Sequence, residues 1–196
     1  MKNNSIKKKH LLIIGGTGFI GHHCLRYAKK FNWRLTSVSR NSPKSERKVK
    51  EVNYLKLDVN NQKEINKKLN KNFTHIINLV GSSNQIFNKK NKNSINKTQL
   101  DGSKKIMNFF CNKNIHRFIQ IGSAAEYGQK RLPHKENTKC LPKSDYGHAK
   151  LKTTKHLLNL FSQRSFNGAI VRLFQVYGER QNQDKIIPYV LNNCLV

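Results

Sequence analysis

The 196-residue sequence is short of acids: 10 Asp and Glu face 38 Lys and Arg, a formal net charge of +28. Such a surplus points first to nucleic acid or an anionic membrane, but the sequence lacks the pattern that a dedicated surface needs. The lysines run through the whole chain, as at Lys7 to Lys9, Lys67–Lys68, Lys89–Lys90 and Lys104–Lys105. They usually sit beside asparagine, with no arginine cluster and no interleaved aromatic platform. The uniform Lys/Asn/Ile enrichment therefore reads as compositional bias with a solvated face, and no specific nucleic-acid partner is expected. The charge still attracts anions, nucleotide phosphates included, in a salt-dependent way.

Long apolar runs are missing as well. No span approaches the ~20 apolar residues of a membrane helix, so no membrane partner is expected. Lys7 to Lys9 followed by Leu11 to Ile14 imitates the start of a secretion signal, but the apolar run stops after four residues at Gly15-Gly16 and no A-x-A-like site follows. The cysteines, Cys24, Cys111, Cys140 and Cys194, are far apart, with no C-x-x-C pair and no His-x-x-x-His to complete a zinc set. Free thiols in a reducing cytoplasm are the plain reading, with no metal site. His22 and His23 have no partner carboxylates or cysteines beside them. There is no internal repeat, and the length fits one domain with a substantial core.

What is present is an alternation. Short apolar runs at His10–Ile14, Trp33–Val38, Val52–Leu57, His75–Val80, Arg117–Ile121 and Ala169–Phe174 read as strands. Between them, Phe19–Lys30, Gln62–Leu69, Ser94–Cys111 and Tyr146–Gln163 carry helical spacing, for example Leu151, Leu157, Leu158 and Phe161. Strand–helix alternation predicts an α/β fold, a Rossmann-like doubly wound parallel sheet with helices on both faces, which binds ligands beyond the carboxyl ends of its strands. Ser82–Lys97, rich in Asn and Lys, is the candidate mobile loop, and Gly128–Ser144 is a second long connection. Trp33 and the Phe109-Phe110 pair read as core packing.

Gly16-Thr17-Gly18-Phe19-Ile20-Gly21 fits G-x-G-x-x-G, while Gly15, Gly18 and Gly21 fit a three-apart variant; the motif directly follows a strand and opens a helix. A dinucleotide needs a tight turn there, a backbone close enough to touch a pyrophosphate, and a positive helix N-terminus. A glycine-rich turn without a ligand is the plainer alternative. About 20 residues on, an NAD site places an acid against the ribose 2′-hydroxyl. This chain instead reads Ser37-Val38-Ser39-Arg40, where a hydroxyl and a guanidinium suit a 2′-phosphate, so NADP is favoured over NAD. In so basic a chain, Arg40 is equally readable as a surface charge. Asp58 at the third strand's end is placed either to accept from an adenine amino group or to cap the following helix. Tyr146 and Lys150 lie i, i+4 on one helix and so share a face, which sets a cation near a phenol and favours its ionised form. His134 and His148 lie near this region without a role that position alone assigns.

The chain resembles the extended short-chain dehydrogenase/reductase family, the NAD-dependent epimerase/dehydratase group that acts on nucleotide sugars. The likeness runs from His10 to about Tyr189, through GGTGFIG, the LDV at Leu57 to Val59, INLVG at Ile77 to Gly81, GSAAEYG at Gly122 to Gly128, YGHAK at Tyr146 to Lys150, and RLFQVYGERQ at Arg172 to Gln181. It implies cofactor phosphate binding at Gly15, Gly18, Phe19, Ile20 and Gly21, adenine contacts at Asp58 and Val59, and cofactor support along Leu79, Val80 and Gly81. It implies a catalytic group of Ser123, Tyr146 and Lys150, with Tyr146 and Lys150 also touching cofactor, and substrate contacts at Ser123, Ala124, Glu126 and Gln175. It further implies a homodimer packed through the Ser94–Cys111 and Tyr146–Gln163 helices, a surface that Lys104, Lys105, Lys152 and Lys155 leave heavily charged.

Three departures stand out. Gln99, three residues before Gly102, replaces the family's usual asparagine, which puts a water-relay role there in question. Gln175 and Glu179 replace Asn and Pro of the familiar RLFNVYGP. The sequence also stops where the family continues into a carboxyl-terminal substrate domain. The expected organisation is a basic stub at 1–9, an NAD(P)-binding domain at 10–178, and the start of a truncated substrate domain at 179–196. The resemblance implies an NAD(P)-dependent nucleotide-sugar oxidoreductase, with NADP tilting the reading toward a 4-keto-6-deoxy sugar reductase. A nucleotide-sugar epimerase or dehydratase using bound NAD, and a non-catalytic dinucleotide-binding remnant, are the alternatives.

Overall fold

A computed structural model describes residues 8–81, 100–129, 132–163 and 166–194. The strands are β1 (His10–Ile14), β2 (Arg34–Ser39), β3 (Val52–Lys56), β4 (His75–Asn78), β5 (Arg117–Ser123) and β6 (Gly168–Leu173). They form one six-stranded sheet in the order β3-β2-β1-β4-β5-β6, and every neighbouring pair is parallel. The helices are α1 (Phe19–Ala28), α2 (Gln62–Lys68), α3 (Ser103–Phe110), α4 (Asp145–Gln163) and α5 (Ile186–Cys194). The order reverses between β1 and β4, so their carboxyl ends flank the crevice where such sheets bind ligands.

Alternation along the strands splits the core into two layers. Leu12, Ile14, Val38, Ile76 and Phe118 face Ile65 of α2, Ile106, Met107 and Phe110 of α3, and Leu157 and Leu160 of α4. On the opposite face Leu11, Ile13 and Leu35 meet Leu25 and Ala28 of α1. Burial on both faces explains why β1 is an unbroken apolar run and not an alternating one. Each of these fully buried aliphatic or aromatic side chains contributes about 1.5–3 kcal/mol of transfer free energy.

The expected doubly wound sheet is therefore the observed one, with local differences. The described part of the Ser94–Cys111 helix is a π-helical turn at 100–102 that runs into α3 at Ser103; the loop expected at Ser82–Lys97, and Gln99, lie outside the described residues. Phe110 is core and Phe109 half-buried, while Trp33 packs at the amino-terminal edge of the sheet, 4.7 Å between ring centres from His75 with Lys9 Nζ 5.1 Å above it. The helix α5 was not anticipated; it buries none of its residues and leaves Ile186, Tyr189 and Leu191 exposed. Among the described residues, no helix is long and apolar enough to cross a membrane.

Beyond β6 the chain returns to α1. Arg26 pairs with Glu179 at 3.0 Å, and Arg47 Nη2 donates to the Arg180 carbonyl at 2.6 Å and to Asn182 Oδ1 at 2.7 Å. These bonds tie residues 179–182 to both α1 and the β2–β3 connection.

Candidate active site

The β1–α1 turn is shaped by what its glycines leave out. Gly15 has a φ of +86°, and its N–H donates to the Val38 carbonyl at 2.7 Å. A Cβ on Gly21 would lie 2.4 Å from the Gly15 carbonyl oxygen and 2.5 Å from Gly16 Cα, so only hydrogen fits there. Gly18 occupies the N-cap of α1 and is exposed, with no side chain capping the helix. The first-turn N–H groups of α1, at Phe19, Ile20 and Gly21, are thus left to an anion, and the helix dipole reinforces that preference.

The second strand delivers Ser39 and Arg40 beside this turn. Ser39 Oγ donates to the Val38 carbonyl at 2.7 Å and accepts from Thr17 N–H at 3.3 Å, which locks the end of β2 to the glycine turn. Arg40 is exposed. After β3, Asp58 Oδ1 accepts from the backbone N–H of Asn60 at 2.9 Å and from its side-chain amide at 3.2 Å. Asp58 is not the cap of α2: Asn61 is, its side chain accepting from Glu64 N–H at 3.2 Å. Val59 packs its side chain into the core against Gly102, so only its backbone is available to an adenine. After β4, Leu79 N–H donates to the Ile14 carbonyl at 2.9 Å, and the residue lies against Gly15; Val80 is buried and Gly81 exposed.

The chemistry-bearing group gathers where β5 meets α4. Ser123 ends β5, Tyr146 and Lys150 stand on the first turns of α4, and the Ser123 hydroxyl lies on the side of the Tyr146 phenol where it eases the phenol's ionisation. Lys150 Nζ lies 5.8 Å from the centre of the Tyr146 ring and donates to the Ile121 carbonyl at 2.9 Å. Lys150 is only 4% exposed, and burial pulls its pKa down to about 8 although Glu126 acts in the opposite sense. Burial also raises the Tyr146 phenol above its ordinary value, opposed by the Ser123 hydroxyl and reinforced by Glu126. Desolvation thus sets the direction, against the eased ionisation expected from the shared helix face.

Glu126, expected at substrate, has no exposed atoms to offer one. It is fully buried, closing the turn Ala124–Glu126 by accepting from Ser123 N–H at 2.9 Å; its other oxygen takes Thr154 Oγ1 at 2.9 Å and Arg172 Nε at 3.0 Å. Both its oxygens are occupied below the site, so the carboxylate supports Ser123 from behind. Ala124 is half-buried beside Ser123, and Gln175 is exposed beyond β6. His134 stacks on Tyr127, ring centres 4.5 Å apart, and His148 is exposed. An apolar groove of about 410 Å³ runs between α1 and residues 176–178; it touches Phe19 and Ile20 but none of Ser123, Tyr146 and Lys150.

Residues 11–196 match the family described as NAD dependent epimerase/dehydratase. The chain belongs to that family. No curated protein sequence matches it. Among solved structures, it is similar to a UDP-N-acetylglucosamine 4-epimerase from Methanobrevibacter ruminantium, at 24% identity and a TM-score of 0.84 over 97% of this chain and 64% of that one. It is also similar to a UDP-glucose 4-epimerase from Thermotoga maritima, at 21% identity and 0.83 over 90% of this chain and 59% of that one. A UDP-glucuronic acid 4-epimerase from Bacillus cereus, solved in complex with NAD, gives 19% and 0.79 over 95% and 63%. At these identities the likeness is one of fold, and the chain spans about three fifths of those proteins' length.

In this epimerase/dehydratase chain, sequence reading passed over two buried amides, Asn78 and Gln120, and the part-buried Arg172. Asn78 and Gln120 sit inside apolar strands, at 0% and 1% exposure, and Arg172 lies within an apparent strand run. Their polarity against an apolar background was the available signal, and Ser123-x-x-Glu126 was a readable capping box.

Proposed function

We propose that the chain binds a nicotinamide dinucleotide along the carboxyl edge of its sheet and carries out oxidoreduction at a hydroxyl-bearing carbon of a nucleotide-linked sugar. The observation that carries this reading is the buried Lys150 ammonium set 5.8 Å from the centre of the Tyr146 ring, where Ser123 ends β5. The glycine turn suits the cofactor: Gly21 leaves no room for a Cβ, which keeps the turn tight, and the α1 N-terminus is uncapped. When bound, the nicotinamide supplies a hydride acceptor or donor.

Tyr146 takes the proton of the sugar hydroxyl in oxidation and returns it in reduction. Ser123 orients the sugar oxygen by hydrogen bond, and Lys150 lowers the energy of the phenolate that forms between the two events. Such a positioned acid–base contributes about 10²–10⁴-fold in rate. The nucleotide-sugar substrate class rests on family membership, and a homodimer through α3 and α4 belongs to the same proposal.

Ser39-Arg40, in place of an acid, supports NADP and with it net reduction of a 4-keto-6-deoxy sugar. The second reading, epimerisation with retained NAD, is favoured by the solved 4-epimerases that share the fold. Titrating NADPH and NADH, then presenting nucleotide-linked 4-keto and 4-hydroxy sugars, separates these. Stoichiometric NAD in the purified protein with 4-epimer formation selects the epimerase. Consumption of NADPH that Tyr146→Phe abolishes selects the reductase. Dinucleotide binding without turnover of any sugar leaves a binding module and overturns the enzymatic reading.

A further inference from the structure

We propose that Asn78 and Gln120 form a positioning pair that links the turn at Leu79–Gly81 to Lys150, so that the two respond to each other. The two residues sit directly opposite in the β4–β5 register. Both are buried, where an unpartnered amide is strongly unfavourable, and their bonds run in one continuous line. Val80 N–H donates to Asn78 Oδ1 at 3.2 Å, and Asn78 Nδ2 donates to Gln120 Oε1 at 2.7 Å. Gln120 Nε2 donates in turn to the Ile121 carbonyl at 3.1 Å, and that same oxygen receives Lys150 Nζ at 2.9 Å.

Aliphatic side chains at 78 and 120 would extend the layer of Ile76 and Phe118 but leave the Val80 N–H without its side-chain acceptor. What the amides add over that packing is connection. From Val80 to Gln120 each donor fixes the orientation of the next acceptor, and such bonds polarise one another in a low-dielectric interior; at the Ile121 carbonyl Gln120 and Lys150 share one oxygen, so a change in either donor's bond alters the other's. One end is the backbone N–H of the turn assigned above to cofactor support; the other is the ammonium beside the Tyr146 ring. A ligand seated on Leu79–Gly81 would thus be felt at Lys150 through fixed bonds, without movement of either strand. The value of this coupling to catalysis rests on the function proposed above; the linkage itself does not.

The test reads amide hydrogen exchange in the unliganded full chain. Gln120→Leu is expected to speed exchange of the Val80 N–H by roughly three- to tenfold, and Lys150→Met, which leaves the Ile121 carbonyl to Gln120 alone, to slow it by a similar factor. Both changes are read relative to Ile13, which lies in the same sheet but off the line and reports any change in global stability. The linkage is overturned if Lys150→Met leaves the ratio of Val80 to Ile13 rates at its wild-type value, or if Val80 and Ile13 change by the same factor in both variants. Should Gln120→Leu fail to fold, Lys150→Met decides alone. A double-mutant cycle on NADPH affinity then asks whether the two substitutions act independently. Failure of the wild-type chain to bind NADPH or NADH would sink the functional reading and leave the exchange result standing on its own.

Discussion

Glu126 and Arg172 hold each other across the floor of the site: the guanidinium Nε donates to the carboxylate at 3.0 Å, with the acid fully enclosed and the arginine side chain 16% exposed. The same carboxylate carries Ser123 N–H and Thr154 Oγ1, so one buried anion joins β5, α4 and β6.

Removing that anion alone should be severe. Glu126→Ala leaves Arg172 enclosed without its partner and the Ser123 N–H unpaired; a loss of about 3–5 kcal/mol is expected in denaturant unfolding. Glu126→Leu combined with Arg172→Leu should lose less, because no uncompensated charge stays behind. A double variant as unstable as Glu126→Ala would show that the pair is not the source of the loss. Because Glu126 raises the Lys150 pKa, its neutral isostere Glu126→Gln should move that amine further down.

Lys150 itself should detract from stability. Its folded-state pKa is about 8 against an ordinary 10.5, so the folded protein holds fewer protons than the unfolded chain between those values. The penalty is fully present below pH 8 and is relieved as pH climbs from 8 toward 10.5. Lys150→Met is therefore expected to unfold at higher denaturant than wild type at pH 7, with the advantage shrinking above pH 8. An advantage independent of pH would contradict this assignment.

The two glycines of the phosphate turn should respond unequally. Gly21→Ala drives a methyl into rigid backbone at 2.4 Å, whereas the same methyl at Gly18 meets its nearest atom at 3.3 Å. Gly21→Ala should destabilise by about 1–3 kcal/mol and abolish dinucleotide binding. Gly18→Ala should leave stability near wild type, and a thermal melt of both variants checks the contrast.

Arg40 is the residue on which cofactor choice turns. If it holds a 2′-phosphate, Arg40→Ala should weaken NADPH binding by about tenfold or more, the worth of a charged hydrogen bond, while NADH affinity stays within twofold. Equal losses for both cofactors would make Arg40 a general surface charge.

The frame of this fold was legible because its signals are local. The run His10–Ile14 ends where glycines begin, and β1 has those same limits; α2 and α4 lie within one residue of their expected spans. The boundary of β4 was less legible: Leu79 leaves the ladder to lie against Gly15, a contact that exists only after β1 and β4 pair. The same reason hid Asn78 and Gln120, whose meaning depends on being opposite each other across strands 42 positions apart. Glu126 was read as a substrate contact because it stands three residues after the expected catalytic Ser123. The partner that fixes it, Arg172, is 46 positions away. Nearness along the chain placed the site, and burial, which the chain does not display, decided which of its side chains face outward.

The exposed apolar helix α5 has a colloidal consequence. A molecule that displays Ile186, Tyr189 and Leu191 on a body of formal charge +28 is held apart from its copies by mutual repulsion across solvent. Salt shortens the reach of that repulsion to ~8 Å at physiological ionic strength but leaves the attraction between apolar surfaces in place. Rising ionic strength is thus expected to shift the balance from dispersal toward clustering.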